Sequence, residues 1–281
     1  MDLTQKMWYN IAYGGSVMGE VIVVTSGKGG VGKTTTTANV GVALALTGKK
    51  IVMIDTDIGL RNLDIIMGLE NRIVYDLVDV VENKCTYTKA LVKDRHTDGL
   101  YLLPAAQSRD KSAVTTTQMK HLVRQLKEEF DYILIDCPAG IEQGFENAVA
   151  AAEKAIVVVM PEVSSVRDAD RIIGLLEKHN ITDIKLVINK IRPAMMKRGD
   201  MLSIEDILDI LAVDLLGVVP DSEDIITAAN KGSFVVAMEK SVSGQAYKNI
   251  ALRITGKEIE LLEFKQTLLQ KLFFGKRRAA L

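Results

Sequence analysis

The chain has 281 residues, of which 48% are hydrophobic and 25% are charged. That balance is typical of a packed globular protein and excludes a disordered chain. The 35 basic and 36 acidic residues give a formal net charge of −1, which excludes a uniformly basic nucleic-acid coat. The two cysteines, Cys85 and Cys137, have no zinc-site spacing and favour a reducing, cytoplasmic compartment.

The first 17 residues differ from the rest of the sequence, because a regular pattern begins only after Met18. We expect residues 1–17 to be a disordered extension or a mis-assigned start, with Met18 as the natural first residue. No apolar run approaches the roughly 18 residues that cross a bilayer, and no secretory signal is recognisable. The main domain is predicted over residues 18–256.

Short apolar runs then alternate with amphipathic stretches. Seven runs predict strands: Val21–Thr25, Ile51–Asp55, Leu100–Leu103, Tyr132–Asp136, Ile156–Met160, Lys185–Asn189 and Leu215–Val219. Amphipathic stretches predict helices, among them Lys33–Leu46, Thr116–Glu129 and Val166–Lys178. The strands are continuously apolar, as in strands covered on both faces. We therefore predict an α/β fold with a mostly parallel twisted sheet of about seven to eight strands and helices on both faces.

A glycine-rich loop lies between the first predicted strand and the first predicted helix. Residues 27–35 read GKGGVGKTT and match the P-loop pattern G-x-x-x-x-G-K-[ST] of nucleoside triphosphatases. Glycines let backbone N–H groups surround phosphate oxygens, and the helix N-terminus adds positive potential. Lys33 is expected to bridge the β- and γ-phosphates and Thr34 to ligate Mg²⁺. The predicted nucleotide-binding residues of the loop are Gly29, Gly30, Val31, Gly32, Lys33, Thr34 and Thr35.

A second lysine, Lys28, lies inside the same loop. It is too near the start of the loop to fold back easily onto its own phosphate. Two interpretations remain open: a solvated loop lysine, or a lysine that reaches a nucleotide bound by another subunit.

Three aspartates follow buried strands. Asp136 ends one strand, and Asp55 and Asp57 end another. Ligands of parallel sheets bind at such carboxyl ends. Asp136 therefore suits a Mg²⁺ site, usually through water. One of Asp55 and Asp57 is expected to hold metal-bound water and the other to orient the attacking water.

The residues after the sixth predicted strand bear on the choice of base. They read Asn189-Lys190-Ile191-Arg192, where GTPases of this class carry Asn-Lys-x-Asp. An arginine has only donors and cannot accept the hydrogen bonds of guanine. Adenine is favoured, with Asn189 as a candidate contact and Pro220 and Asp221 as weaker candidates on the other side of the base.

Residues 28–35 resemble the deviant Walker A motif of the MinD/ParA family of ATPases. Further stretches resemble the MinD branch of that family: residues 55–64 and 136–142, which match its two switches, and residues 161–171 and 198–203. The resemblance extends from about Met18 to the C-terminus.

The resemblance implies a Mg²⁺-dependent ATP hydrolase that dimerises when ATP binds. It assigns the catalytic roles to Lys28, Lys33 and Asp57. Lys28 would reach the phosphates of the partner subunit, and Asp57 would orient the attacking water. The implied metal-site residues are Thr34, Asp55 and Asp136.

The resemblance also implies protein partners and a role in placing the division septum. Asn62 matches a switch residue of the family. A helical surface matches the place where the division inhibitor MinC and the activator MinE, or an equivalent, bind; its residues are Arg167, Asp168 and Asp170. No specific nucleic acid is expected.

The C-terminal segment 257–281 is predicted to form an amphipathic helix. Apolar residues recur at helical spacing, and five basic residues but no acid follow Glu263. Such a helix suits an anionic membrane surface, here the inner face of the cell membrane. The alternative is a terminal helix packed on the core. The predicted membrane-contacting residues are Phe264, Leu268, Leu269, Lys271, Leu272, Phe273, Phe274 and Lys276.

Three other functions remain possible from the sequence. A partition ATPase of the ParA type would bind DNA and lack the tail helix. A regulator of flagellar number would share both the loop and the tail. An iron–sulfur electron carrier of the nitrogenase-reductase type would need two cysteines from each subunit in glycine-rich surroundings, which Cys85 and Cys137 lack.

Overall fold

One eight-stranded sheet forms the centre of the fold. The computed structural model of the chain describes residues 18–141 and 143–262. The strands of this part are β1 Glu20–Thr25, β2 Ile51–Asp55, β3 Val92–Lys93, β4 Leu100–Leu103, β5 Tyr132–Asp136, β6 Lys154–Val159, β7 Asp183–Ile191 and β8 Asp214–Pro220. Their order across the sheet is β3-β4-β2-β5-β1-β6-β7-β8.

Every neighbouring pair of strands is parallel except β3 and β4, which are antiparallel. The predicted mostly parallel sheet is therefore confirmed, and each of the seven predicted strands is present. The strand that the sequence did not predict, β3, has two residues. It lies at the edge of the sheet and is too short to give an apolar run.

Helices cover both faces of the sheet. The described α-helices are α1 Lys33–Ala45, α2 Leu63–Ile66, α3 Leu77–Val81, α4 Tyr87–Ala90, α5 Thr116–Leu126, α6 Gln143–Ala150, α7 Val163–Lys178, α8 Pro193–Arg198, α9 Ile204–Leu211, α10 Glu223–Asn230 and α11 Val242–Ile254. Buried residues of α1, α2 and α11 form the core on one face, and those of α3, α5, α6, α7 and α9 form the core on the other. The helices predicted from the sequence are all present, although α5 ends three residues earlier and α7 begins three residues earlier than expected.

Helix α1 is fixed tightly against the sheet. Its residues from Thr36 to Ala45 are all buried. A Cβ atom added at Gly41 would lie 2.4 Å from the Sδ atom of Met53 in β2, so the helix approaches this strand as closely as a glycine allows. Since the glycine-rich loop leads directly into α1, this packing holds one end of the loop in place.

The predicted C-terminal helix lies mostly outside the described residues. Residues 257–262 are not helical. Gly256, with φ of 83°, follows α11, and the Arg253 guanidinium then holds the carbonyl of Ile259 at 2.7 Å and 2.9 Å. The segment 1–17 and all the predicted membrane-contacting residues also lie outside the described part. Among the helices of residues 18–141 and 143–262, none is long and apolar enough to cross a bilayer.

The packing of α1 gives a stability prediction with a control at the residue that follows the helix. Leu44 is fully buried, whereas Leu46 is 58% exposed. Leu44→Ala should lower the free energy of unfolding by about 3 kcal/mol, since it removes buried methyl groups and leaves a cavity. Leu46→Ala should change it by less than about 0.5 kcal/mol. Urea denaturation of the nucleotide-free protein measures both, and equal losses would contradict the described packing.

Candidate nucleotide site

A cavity of about 580 Å³ lies at the carboxyl ends of the central strands. It is bounded by the glycine-rich loop, α2, the end of β7 and the start of α10. The structure brings eleven of the predicted site residues together around it: Lys28, Gly29, Gly30, Gly32, Lys33, Thr34, Thr35, Asp57, Asn62, Asn189 and Asp221. Residues from four distant stretches of sequence therefore line one cavity.

The loop has the backbone geometry that its glycines permit. Gly30 and Gly32 have φ of 78° and 94°, in the left-handed region that other residues rarely adopt. A Cβ atom at Gly32 would lie 2.3 Å from the Nδ2 atom of Asn189. Helix α1 begins at Lys33, directly after Gly32, and its first residues line the cavity. Its N-terminal N–H groups and its dipole therefore favour an anion in the cavity.

Two buried carboxylates lie side by side behind the loop. Asp55 and Asp136 are paired in the register of β2 and β5, and each is at most 2% exposed. Burial and the neighbouring Asp136 charge raise the pKa of Asp55 to about 7. Burial also raises the pKa of Asp136, although the Lys33 ammonium and the hydroxyls of Thr34 and Thr37 oppose this. A cation beside the pair would relieve their mutual repulsion.

Asp55 also organises the loop that follows it. Its Oδ1 accepts a hydrogen bond from the N–H of Asp57 at 2.9 Å, and its Oδ2 accepts from the N–H groups of Asn62 and Leu63 at 3.2 Å and 3.1 Å. The carboxylate thus serves the first turn of α2 and does not itself line the cavity. Asp57, by contrast, lines it.

The predicted adenine contacts have other partners in the structure. Asn189 lines the cavity, but its Nδ2 donates to the carbonyl of Val31 at 2.8 Å and its Oδ1 accepts from the N–H of Lys190 at 2.8 Å. Asp221 also lines the cavity, and its carboxylate accepts from Arg192 at 2.7 Å. Pro220 is buried at the end of β8 and is not part of the cavity wall.

Lys28 points out of its own loop, toward the start of α7. Its Nζ lies 3.5 Å from the Oε2 of Glu162 and 3.3 Å from the Oγ of Ser164. The Lys28 and Glu162 side chains are 42% and 52% exposed. That Lys28 does not fold back onto its own phosphate, and reaches the nucleotide of another subunit instead, stays a prediction.

The predicted partner surface lies on α7, close to the loop. Arg167 and Asp170 are exposed and Asp168 is half-buried. A Cβ atom at Gly27 would lie 2.4 Å from the carbonyl of Asp168, so the loop packs directly on the backbone of α7. Asn62 is exposed and lies at the start of α2, on the rim of the cavity.

Sequence reasoning missed several residues of the site. The Oγ1 of Thr37 donates to Asp136 at 2.9 Å, a contact that its position one helical turn after Lys33 could have suggested. The Nζ of Lys190 donates to the carbonyl of Gly30 at 2.8 Å. Apolar side chains of α2 and α10 form part of the cavity wall, and no motif marked them: Ile65, Ile66, Ile225 and Ile226.

The residues present fit Mg²⁺ and a nucleoside triphosphate. Thr34 and the adjacent carboxylates supply the hard oxygen donors that Mg²⁺ prefers, and Lys33 supplies positive charge for phosphate. In the described part of the chain, no group of three His, Cys, Asp or Glu side chains is placed to hold a metal ion. The sheet, the loop and the cavity together define a P-loop nucleotide-binding protein.

Comparison with known proteins also identifies a nucleotide-binding protein, and it identifies the family to which the chain belongs. The family described as the CobQ/CobB/MinD/ParA nucleotide binding domain matches residues 22–236. The septum site-determining protein MinD of Synechocystis sp. is 59% identical over 248 residues, which cover 88% of this chain and 93% of that protein. The chain belongs to the MinD family of cell-division ATPases.

Solved structures agree with this assignment. A MinC:MinD cell division protein complex from Aquifex aeolicus is 50% identical, with a TM-score of 0.82 over 88% of this chain and 100% of that chain. MinD of Pyrococcus horikoshii, solved with Mg-ADP, is 29% identical, with a TM-score of 0.76 over 84% of this chain and 96% of that chain. The protein is therefore an ATP hydrolase of the MinD family, and the MinD interpretation is supported over the ParA alternative.

The raised pKa of Asp55 predicts how stability depends on pH. The folded protein holds this proton up to pH of about 7, whereas an unfolded aspartate loses it near pH of about 4. The folded state therefore binds more protons between these values. The free energy of unfolding should fall as pH rises through this window, by up to about 1.4 kcal/mol per pH unit.

Urea denaturation of nucleotide-free protein at pH 5, 6 and 7 tests this, with Asp55→Asn as the matched variant. The variant should show a flatter decline than the native chain, since Asn does not titrate. Parallel declines for the two proteins would show that Asp55 carries no raised pKa.

Proposed function

We propose that the protein places the division septum through an ATP-controlled cycle on the membrane. It dimerises on binding ATP, attaches to the cytoplasmic face of the cell membrane through its C-terminal segment, and recruits MinC. Hydrolysis stimulated by MinE, or by an equivalent activator, releases it. The observation that carries the proposal is the cavity lined by a second loop lysine, Lys28, whose ammonium contacts Glu162 and Ser164 at the start of α7.

The side chains of the cavity have distinct roles in this proposal. Lys33 and the N-terminus of α1 hold the phosphates, and Thr34 ligates the metal. Asp136 and Asp55 support the metal site from behind, and Asp57 orients the attacking water. When bound, Mg²⁺ neutralises the phosphate charge and so favours attack on the terminal phosphate.

Lys28 is free to change partners at little cost. Exposed ion pairs of this kind contribute only about 0.2–1 kcal/mol, and the Lys28–Glu162 pair is largely exposed. A phosphate of a facing subunit carries more negative charge than a single carboxylate. We therefore infer that Lys28 leaves Glu162 and Ser164 when two ATP-bound subunits meet.

The partner surface adjoins the elements that would respond to nucleotide. Arg167, Asp168 and Asp170 lie on α7, which packs on the loop at Gly27. Asn62 is tied through its N–H to the carboxylate of Asp55. The complex of MinC with a MinD that is 50% identical supports MinC as a partner, and we assign its binding to these residues.

Membrane attachment is proposed for the C-terminal segment 257–281, whose predicted membrane-contacting residues all follow Glu263. Each basic residue near an anionic surface contributes on the order of 1 kcal/mol, so one short helix is a weak anchor. Two helices on one dimer bind far better, because the second binds at high effective concentration. ATP-driven dimerisation would therefore control membrane residence without a further switch.

Substitution of Lys28 tests the dimerisation step. Lys28→Ala should abolish dimerisation with a non-hydrolysable ATP analogue and leave ADP affinity within about threefold, because the Lys28 ammonium contacts Glu162 and Ser164 at the start of α7. Glu162→Gln is the matched control: it removes the same ion pair but keeps the lysine, so dimerisation should persist. Sedimentation velocity with the ATP analogue measures the dimerisation of both variants. A Lys28→Ala protein that still dimerises with the analogue would contradict the proposed role.

Removal of the tail tests membrane attachment. The intact chain should pellet with anionic liposomes in ATP and much less in ADP. A chain ending at Glu263 should pellet in neither, while it keeps ATP-dependent dimerisation. Neutral liposomes are the control for charge. ATP-dependent pelleting of the shortened chain would place the membrane contact elsewhere.

A further inference from the structure

We propose that Lys190 is a positioning residue that holds the phosphate-binding loop ready for nucleotide through the carbonyl of Gly30. This role belongs to the nucleotide site itself and requires neither the membrane step nor any protein partner.

Two adjacent residues at the end of β7 hold two adjacent carbonyls of the loop. The Nζ of Lys190 donates to Gly30 at 2.8 Å, and the Nδ2 of Asn189 donates to Val31 at 2.8 Å. The N–H of Lys190 also donates to the Oδ1 of Asn189 at 2.8 Å, which orients the amide. The end of β7 therefore braces the loop at successive peptide groups.

The orientation of these carbonyls determines the orientation of the N–H groups that follow them. In a trans peptide, the C=O and the N–H of the same unit point in opposite directions. With the carbonyls of Gly30 and Val31 held toward β7, the N–H groups of Val31 and Gly32 are directed away from it. A loop built largely of glycine has little intrinsic preference for this arrangement, so it needs outside contacts to keep it.

The backbone of Lys190 gives a second, independent observation. Its φ is 56°, in the left-handed region. Asparagine adopts this conformation readily, whereas for a lysine it is strained. Strain of this kind persists only where the surroundings impose it, and it is concentrated at functional sites. At Lys190, the left-handed backbone conformation occurs together with the contact between the lysine ammonium and the loop.

Support of the loop also explains the hydrogen bonds made by the side chain of Asn189. The side-chain amide that the sequence suggested for adenine already serves the loop carbonyl and the backbone of Lys190. The two residues thus act as one brace, with Asn189 buried and Lys190 at the surface.

Three substitutions at one position separate the amine from the backbone strain. Lys190→Met removes the amine and keeps a side chain of similar length. Lys190→Arg keeps a cationic donor. Lys190→Gly removes the amine but relieves the left-handed strain. Lys197→Met, on the exposed end of α8, controls for the loss of one positive charge from the surface.

Titration with fluorescent ADP in the presence of Mg²⁺, together with thermal unfolding of the nucleotide-free protein, gives the readout. The dissociation constant should rise about tenfold in Lys190→Met and Lys190→Gly, and stay within about twofold in Lys190→Arg and Lys197→Met. Lys190→Gly should also melt at a higher temperature than the native chain. A glycine variant that is more stable yet binds nucleotide more weakly cannot be explained by general loss of structure.

Two results would overturn the proposal. One is a Lys190→Gly protein that binds ADP as tightly as the native chain. The other is a Lys190→Arg protein that loses as much affinity for ADP as Lys190→Met. In that case a cationic donor at this position would make no difference to nucleotide binding. The arginine and glycine variants decide the question even where the methionine variant folds poorly.

Discussion

The architecture of the site follows from two carboxylates held side by side in a dry sheet. Parallel pairing of β2 and β5 places Asp55 opposite Asp136, and apolar strands exclude water from both. Two such carboxylates repel each other when both are ionised, unless neighbouring groups stabilise them with positive charge or hydrogen-bond donors. The surroundings supply both: Lys33 and Thr37 act on Asp136, and three backbone N–H groups act on Asp55. The carboxyl edge of the sheet is thereby prepared for a cation and its phosphate ligand.

From this centre, short contacts lead outward to the predicted partner surfaces. Asp55 holds the start of α2, where Asn62 lies on the rim of the cavity. The loop touches the backbone of α7 at Gly27, and Lys28 reaches the first turn of the same helix. No long pathway is needed to connect the nucleotide with these surfaces, because they adjoin it. A change at the phosphates would thus alter which groups Lys28 and the α2 loop contact.

The sequence predicted those parts of the site that depend on local pattern. Apolar runs defined the central strands, and the glycine spacing defined the loop, because both reflect short-range constraints of burial and backbone geometry. The two-residue strand β3 gave no such pattern. The Lys190–Gly30 contact joins residues 160 positions apart, and only the fold brings them together. Asn189 shows the limit of motif reasoning: its place beside the pocket was predicted, but its hydrogen bonds to the loop were not.

Thermal unfolding of the protein with Mg²⁺ alone, with ADP alone, and with both tests whether the carboxylate pair and the loop form one site. If the paired carboxylates and the loop form one site, the metal and the nucleotide should stabilise each other's binding. The shift in melting temperature with both should then exceed the sum of the separate shifts. A shift with ADP alone that Mg²⁺ does not increase would show that the carboxylate pair takes no part in nucleotide binding, and would contradict the account.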